Sequence, residues 1–337
     1  MLVTTCGFLV ADIVAAGMDK VAEPGELVYV PGEIKLHIGG HPANVGVDLA
    51  KLGVPGDEVT VIGAIGDDLF GDFIENTLKS YGLRAKLQRI KGVGTTKDMI
   101  LVAKGEDRRY HVDEGASLKL EPEFVISSIE EEPPLLFYAA TGIVGRFDDE
   151  IERVMAAAKG KGCFTFLDIV KPWGKDWDFV LPALKFADVF HCNDMEARSV
   201  TGEGELEGAA RKLIESGVKL LLVTMGERGA MAVTRSFLVS QPPFRIEPID
   251  PTGAGDAFCA GAIKWLLDEF GDGLRSIDPG DLRPNRLIDL LAFCQAVGAT
   301  ACMGVGTTSG VSIDGARRLI EEQGSRVKEG SEVKSLG

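Results

Sequence analysis

Short apolar runs alternate with longer amphipathic stretches along most of the chain, most regularly after residue 135. Apolar runs of about four to eight residues are typical of strands that are buried on both faces of a parallel sheet. The strands predicted in this half span 135–139, 163–170, 189–193 and 220–224, and the helices lie near 148–159, 177–186, 194–201, 208–216 and 286–303. Their order predicts an α/β protein with a central, mostly parallel sheet flanked by helices on both faces.

The first half begins with a predicted strand over 2–9, which runs into a turn carrying Asp12. A Gly-Gly turn at residues 39–40 then precedes a helix that has Pro42 in its first turn and Gly53 after its end. Segments 13–37 and 87–113 have shorter strand patterns with polar breaks, and they predict a small separate β-sheet. Such an insertion in an α/β chain is a natural lid over an active site. We therefore predict one domain over 1–324 with a β lid, and a polar, frayed tail over 325–337.

Charge and composition narrow the class of protein. The 337 residues carry a formal net charge of −15, which argues against binding to nucleic acid or to anionic membranes because both require a basic face. No apolar run of about 18 residues occurs, and the chain does not begin like a secretory signal. We expect a cytoplasmic protein with no nucleic-acid or membrane partner.

Two common kinds of site are disfavoured. The six cysteines are scattered and form no C-x-x-C pair, and the four histidines do not stand at zinc-ligand spacing with them. We expect these cysteines to be small buried apolar residues. No G-x-G-x-x-G follows the first predicted strand, which argues against a dehydrogenase, and the P-loop pattern is also absent.

Residues 250–256, Asp-Pro-Thr-Gly-Ala-Gly-Asp, join a strand-like run to a long apolar helix. The free amides and positive dipole end of a helix N-terminus bind anions, and glycines let a phosphate approach the backbone closely. Asp256 stands in the same first turn, where it could take a proton from a hydroxyl that attacks that phosphate. The plainer alternative is an acidic residue that favours the first turn of an ordinary core helix.

Two asparagines leave alternatives open. Asn44 lies inside a predicted helix, where Asn is a poor helix former, so it either points into a polar site or is a tolerated surface residue. Asn193 and Glu196 stand three apart at the start of another helix. They either face a common ligand or form a plain helix-capping pair.

Five motifs occur in order: Gly39-Gly40-His41-Pro42-Ala43-Asn44, residues 66–71, Asn193-Asp194-Met195-Glu196, residues 223–230 and residues 250–256. Through them the chain resembles, over nearly its whole length, the PfkB or ribokinase-like family of sugar and nucleoside kinases. The resemblance implies a ribokinase-like fold. It also implies ATP- and Mg²⁺-dependent phosphorylation of a hydroxyl on a small sugar or polyol.

The resemblance implies roles for individual residues at the transfer site. Asp256 would be the catalytic base, and the amides of Gly253, Ala254 and Gly255 would bind the transferring phosphate. The residues implied in acceptor binding are Asp12, Gly39, Gly40 and Asn44, with Met99 and Arg109 as lid residues that cover the acceptor.

The resemblance also implies a nucleotide site. The residues implied beside the nucleotide are Asn193, Thr224, Gly226, Gly229, Gly253 and Gly255, with Gln295 near the base. Glu196 would organise Mg²⁺ through water. Asp250 and Thr252 would hold a K⁺-like monovalent cation, since some members are activated that way.

Departures from the family pattern bear on the acceptor. His41-Pro42 stands where ribokinases carry Lys-Gly and is nearer to the Ala-Pro of fructokinase-like members, and Ile169-Val170 replaces a frequent Pro-Asn. We expect a fructokinase- or ribokinase-like sugar or polyol kinase, with a nucleoside kinase as the alternative. A non-catalytic metabolite-binding protein is the alternative of another class, and the intact Asp256 and glycines argue against it. The assembly is predicted as a monomer or as a homodimer formed through the lid.

Overall fold

The computed structural model describes residues 1–31, 34–106 and 108–336. The strands in these ranges are β1 (Val3–Cys6), β2 (Val10–Met18), β3 (Ile34–Gly39), β4 (Val59–Gly66), β5 (Arg84–Ile90), β6 (Lys97–Ala103), β7 (Arg109–Asp113), β8 (Leu136–Thr141), β9 (Phe164–Ile169), β10 (Val189–Asn193), β11 (Leu220–Thr224), β12 (Ala230–Val233), β13 (Phe237–Gln241) and β14 (Glu332–Ser335).

The α-helices in the same ranges are α1 (His41–Lys51), α2 (Leu69–Ser80), α3 (Pro122–Glu131), α4 (Arg146–Asp149), α5 (Ile151–Gly160), α6 (Leu181–Leu184), α7 (Asp194–Thr201), α8 (Leu206–Glu215), α9 (Ala254–Phe270), α10 (Pro284–Cys302) and α11 (Ile313–Glu329).

The large sheet has the strand order β14-β13-β12-β11-β10-β9-β8-β1-β4-β5. Neighbours from β11 to β5 are parallel, and β12, β13 and β14 continue the sheet in antiparallel pairs. Successive side chains of a strand point to opposite faces, and in β11 Leu222 belongs to one core cluster while Leu221 belongs to the other. Helices therefore cover both faces, which confirms the predicted α/β architecture.

The small sheet has the order β3-β2-β6-β7. The predicted lid segments contribute these strands only in part. Residues 87–90 belong to β5, which pairs with β4 at the edge of the large sheet, and the described residues between 19 and 31 contain no strand. The boundary at residue 87 was therefore wrong. Residues 32, 33 and 107 of the two segments lie outside the described residues.

The C-terminus differs from the expected frayed tail over 325–337. Helix α11 continues through residue 325 to Glu329, and Val327 is fully buried. Strand β14 then pairs with β13 in antiparallel register. The polar C-terminal segment is ordered as a strand because β13 would otherwise present an unpaired edge. The backbone of a polar segment can satisfy the hydrogen bonds of that edge. Gly337 lies outside the described residues.

The cysteines can be compared directly with the expectation from composition. All six cysteines are unpaired, and five of them are buried, which confirms the prediction of small core residues for every cysteine except the half-buried Cys302. Across the described ranges, no helix combines the length and the apolar character needed to cross a membrane.

Candidate active site

The first turns of α1 and α9 meet near the carboxyl end of β9, where His41 of α1 contacts Asp168, and ligands bind at this end of the strands in open α/β sheets. The Asn44 Nδ2 donates a hydrogen bond of 2.7 Å to Asp256 Oδ2. Both side chains are almost fully buried, at 2% and 5% exposure. Asn44 therefore points into a polar site and does not lie on the surface, which resolves the alternative that the sequence left open.

Paired glycines shape the approach to α1. Gly40 has φ 89°, and a Cβ there would lie 2.2 Å from the carbonyl oxygen of Phe8. A Cβ on Gly39 would lie 2.3 Å from both carboxylate oxygens of Asp12. Only glycine fits at either position, because the Asp12 carboxyl and the Phe8 carbonyl lie directly against the backbone of this turn.

Asp12 lies inside β2, and the expectation of a turn at this residue was wrong. In the small sheet Asp12 pairs with Asp98 of β6, and a hydrogen bond joins the two carboxyls. Burial and the neighbouring Asp98 raise the pKa of Asp12 well above its usual range, and burial raises that of Asp98 to about 6. The pair therefore shares a proton. Asp98 had no local signal in the sequence, because only the β2–β6 register brings it beside Asp12.

Met99 and Arg109 lie on the outer face of the small sheet, and their prediction as residues that cover the acceptor was wrong. Met99 follows Asp98 in β6, so its side chain points the opposite way, and it is 48% exposed. Arg109 is exposed and forms an ion pair with Glu106. Neither side chain faces Asp12.

Arg108, and not the adjacent Arg109, contacts the turn that precedes α9. Its Nη1 donates to Asp250 Oδ1 at 3.1 Å and also to the hydroxyl of Thr252. The Asp250 carboxylate accepts further bonds from Thr252 and from the amide of Gly306. Burial would raise the pKa of Asp250, but these hydrogen bonds and the Arg108 charge hold it below its usual value. The guanidinium thus joins the small sheet to the turn that precedes α9.

That turn requires glycine at its last position. Gly253 has φ 80°, and a Cβ there would lie 2.0 Å from the carbonyl oxygen of Thr307. The amide of Ala254 donates to the carbonyl of Pro251 at 3.2 Å, so it is engaged within the turn. Gly255 is accessible, and a Cβ there would meet nothing nearer than His191 Cε1 at 3.8 Å. The start of α9 therefore has open space around a backbone that can approach an anion.

A buried network lies beneath Asp256, and its central residue is Asp168 at the end of β9. Asp168 accepts hydrogen bonds from Tyr138 Oη (2.6 Å), His41 Nδ1 (3.0 Å) and His191 Nδ1 (2.8 Å). Burial acts to raise the pKa of Asp168, but the two histidines outweigh it and lower the value. No local sequence pattern indicates this network, because its members come from four separate elements, α1, β8, β9 and β10.

His41 connects that network to Asp256. Its Nδ1 lies 3.5 Å from Asp256 Oδ1, and its ring packs against Phe8 with centroids 5.1 Å apart. Burial would lower the pKa of His41, but Asp256 and Asp168 raise it to about 9. Burial raises the pKa of Asp256, while His41 and the hydrogen bond from Asn44 oppose that rise.

Asn193 and Glu196 form the capping pair that the sequence allowed. Asn193 Oδ1 accepts from the Glu196 amide at 2.8 Å, and Glu196 Oε2 accepts from the Asn193 amide at 2.7 Å. Glu196 is nevertheless buried, and burial raises its pKa to about 7. The cap uses Glu196 Oε2, and the other carboxylate oxygen, Oε1, takes no part in the start of the helix.

The predicted nucleotide residues divide into two groups. Thr224 ends β11 next to Asn193, and its hydroxyl lies 3.3 Å from His191 Nε2. Gly226 and Gly229 both have positive φ in the turn that follows. Gln295, in contrast, is buried in α10 and donates to Gln241 Oε1 at 2.8 Å. The expectation that Gln295 lies near a base is not supported, because its amide belongs to a core network.

The fold is similar to those of solved sugar kinases. A ribokinase from Giardia lamblia superposes with a TM-score of 0.80 at 20% identity, over 95% of this chain and 98% of that chain. A fructokinase with bound ATP from Xylella fastidiosa superposes with a TM-score of 0.78 at 24% identity, over 96% and 99%. The predicted ribokinase-like fold is thereby confirmed.

Sequence relatives agree with the fold. A probable fructokinase-4 of Arabidopsis thaliana is 27% identical over 285 residues, which cover 81% of this chain and 85% of the relative. A deoxyribokinase of Salmonella typhi is 28% identical over 263 residues, covering 75% and 82%. Residues 8–314 match the family described as pfkB family carbohydrate kinase. The resemblance carried by the five motifs is therefore confirmed, and the chain belongs to the pfkB family of carbohydrate kinases.

Proposed function

We propose that this protein transfers the γ-phosphoryl group of ATP to a hydroxyl of a small neutral sugar or polyol, with Asp256 as the base. The observation that carries the proposal is the contact of Asn44 with Asp256. This contact places the glycine turn before α1, where an acceptor would bind, next to the glycine turn before α9, where a phosphate would bind. Phosphoryl transfer needs these two groups side by side.

The acceptor side offers hydrogen-bonding atoms that the protein itself does not use. Among the described residues, the buried atoms without a partner include Asn44 Oδ1, Asp98 Oδ1, Asp256 Oδ1 and His37 Nε2. Unpaired buried polar atoms are costly, so a ligand rich in hydroxyls would stabilise them. Asp12, Gly39, Gly40 and Asn44 are proposed to bind the acceptor, and Asp98 joins them because of its contact with Asp12.

The acidic lining supports a neutral acceptor. Asp12 and Asp98 share one negative charge over the turn, and Asp256 lies close by. A phosphorylated or carboxylated sugar would meet like charge there. The fructokinase and deoxyribokinase relatives make a sugar the first acceptor to test, and nucleosides form the alternative class.

Asp256 would remove the proton from the attacking hydroxyl while the amides of Gly253 and Gly255 stabilise charge on the phosphoryl oxygens. The accessible glycine backbone at the start of α9 fits a phosphate. Thr224, Gly226, Gly229 and Asn193 are proposed to line the rest of the nucleotide site. Gln295 has no part in it.

The donor set also fits Mg²⁺. Carboxylate oxygens are preferred Mg²⁺ ligands, usually together with water, and Glu196 retains one carboxylate oxygen after capping α7. Mg²⁺, when bound, would neutralise charge on the nucleotide phosphates. A monovalent cation at Asp250 and Thr252 stays a prediction, and Arg108 already supplies a positive charge to that carboxylate.

Assembly and location stay predictions as well. A homodimer through the lid is favoured over a monomer by the exposed apolar side chains Ile34, Leu36 and Met99 on the outer face of the small sheet. Light scattering of the purified protein would distinguish the two. We also propose a cytoplasmic location, which fractionation of cells would test.

The function is tested by ADP release with ATP, Mg²⁺ and a panel of neutral sugars, polyols, nucleosides and sugar phosphates. We expect turnover with at least one neutral sugar or polyol and none with sugar phosphates. Turnover with nucleosides alone would move the protein to the alternative class. If no acceptor in the panel is phosphorylated, the kinase proposal fails.

A further inference from the structure

His41 is a basic side chain that lies beside the predicted base, with its Nδ1 3.5 Å from Asp256 Oδ1. The titratable side chains that interact electrostatically with Asp256 come from six elements, β2, α1, β8, β9, β10 and α9. They are Asp12, His41, Asp48, Tyr138, Asp168, His191 and Cys259. Three of these are further carboxyl groups. A carboxylate that must be ionised to act as a base is therefore surrounded mostly by acids, and histidines are the only basic side chains among these neighbours.

The position of His41 is held from two sides. Its Nδ1 donates to Asp168 Oδ2, which is buried and ionised, and its ring packs on Phe8. Asp168 in turn is held by Tyr138 and His191, so the histidine does not depend on Asp256 for its orientation. With Nδ1 bound to a carboxylate, the imidazole keeps its proton on that nitrogen, 3.5 Å from Asp256 Oδ1.

We propose that the His41–Asp168 pair is a positioning device that keeps Asp256 ionised and holds a positive charge beside the site of phosphoryl transfer. The inference rests on the proposed function, in which Asp256 is the base. Asp168 anchors the imidazolium and stabilises its charge, and Glu196 adds a weaker attraction from α7. His41 acts through Asp256 and exchanges no proton with the acceptor.

The sign of the effect follows from the charges. Removing the imidazolium leaves burial and the neighbouring carboxyls to raise the pKa of Asp256, so the protonated and inactive form persists to higher pH. The acid limb of kcat/KM then moves to higher pH. The wild type and a variant without the charge therefore differ on the acid limb and converge at pH values where Asp256 is ionised in both.

The experiment compares four variants. His41→Gln removes the charge, His41→Lys retains a cation, and Asp168→Asn removes the anchor. His111→Gln is the matched control, because His111 is exposed on the outer face of the small sheet. We expect the acid limb of kcat/KM to shift to higher pH by roughly one unit in His41→Gln, which lowers kcat/KM about tenfold at low pH. In His41→Lys and His111→Gln the limb should stay near its wild-type position. An unchanged limb in His41→Gln overturns the proposal.

A second readout needs no kinase activity. The chain has four histidines, so their ring resonances can be followed by NMR in the nucleotide-free protein, with His41 assigned from the signal lost in His41→Gln or His41→Lys. We expect it to titrate near pH 9 and to move toward the ordinary histidine range in Asp168→Asn. Titration of His41 in the ordinary range in the wild-type protein overturns the proposal. If no acceptor is turned over, the proposed function fails while this titration still decides the charge of His41.

Discussion

Asn44 and Asp256 are 212 positions apart and share a hydrogen bond of 2.7 Å in the interior of the protein. The bond fixes the orientation of Asp256 and leaves its other oxygen, Oδ1, without a hydrogen bond from the described residues. A base needs this arrangement, with one oxygen held and the other available for a proton. The relationship also ties α1 to α9, so the glycine turns before these two helices, which are the proposed acceptor and phosphate turns, are positioned together.

Asp256→Asn tests the base directly. The amide can still contact Asn44 but cannot accept the hydroxyl proton, and general-base catalysis is typically worth about 10²- to 10⁴-fold. We expect kcat to fall by that order while the Kd of ATP, measured by calorimetry, changes by less than about threefold. Full activity in this variant would remove Asp256 from the mechanism.

Arg108 and Arg109 provide a matched pair for the role of the small sheet. Arg108 contacts Asp250 and Thr252, whereas Arg109 pairs with Glu106 on the outer face. A partly buried, charge-assisted contact is worth about 1.5–3 kcal/mol. We expect Arg108→Met to raise the KM of the acceptor about tenfold or more, and Arg109→Met to leave it within about twofold. Equal changes in the KM of the acceptor for the two variants in steady-state assays would contradict the assignment of Arg108 to the site and of Arg109 to the outer face of the small sheet.

Gly253→Ala tests the turn before α9. Its φ of 80° is unfavourable for any Cβ, and this Cβ would also lie 2.0 Å from the Thr307 carbonyl oxygen. Gly92 is the control, because it has φ 75° with open space around its Cβ position. We expect Gly92→Ala to cost about 1 kcal/mol of unfolding free energy and to retain activity. Gly253→Ala should cost more and lower kcat at least tenfold, since the turn must shift away from Thr307.

Asp48 links pH to stability. It is fully buried in α1, neither carboxyl oxygen has a hydrogen-bond partner among the described residues, and burial together with Asp256 raises its pKa well above the usual range. The folded state therefore keeps a proton that the unfolded chain releases above about pH 4. Stability from this group is full below that pH and is lost as pH rises toward the folded-state pKa.

Asp48→Asn stays neutral at every pH and removes this loss. We expect the variant to match the wild type near pH 4 and to be more stable by roughly 1–3 kcal/mol at pH 8, as measured by urea denaturation. Glu322→Gln, at an exposed position of α11, is the control and should change neither value. A variant that is less stable than wild type at pH 8 would contradict the expectation that burial of Asp48 costs stability at that pH.

Local pattern was sufficient for most of the large sheet and for the turns of the candidate site. Apolar runs marked β8 to β11 almost to the residue, because strands buried on both faces leave an uninterrupted apolar signal. Glycines marked the starts of α1 and α9, because positive φ and close backbone contacts exclude side chains there. Asp256 could be predicted as a candidate base for the same reason, since it stands in the first turn of the helix that follows these glycines.

The tertiary structure alone decided which side chains face that turn. Whether Met99 or Asp98, and Arg109 or Arg108, lies over the site depends on the pairing register of the small sheet, and a shift of one residue exchanges the two faces. The partnership of His41 with Asp168 depends on helix and strand termini far apart in the chain. Local sequence encodes helix and strand periods and special backbone angles, whereas register and the meeting of distant carboxyls depend on how the whole core packs.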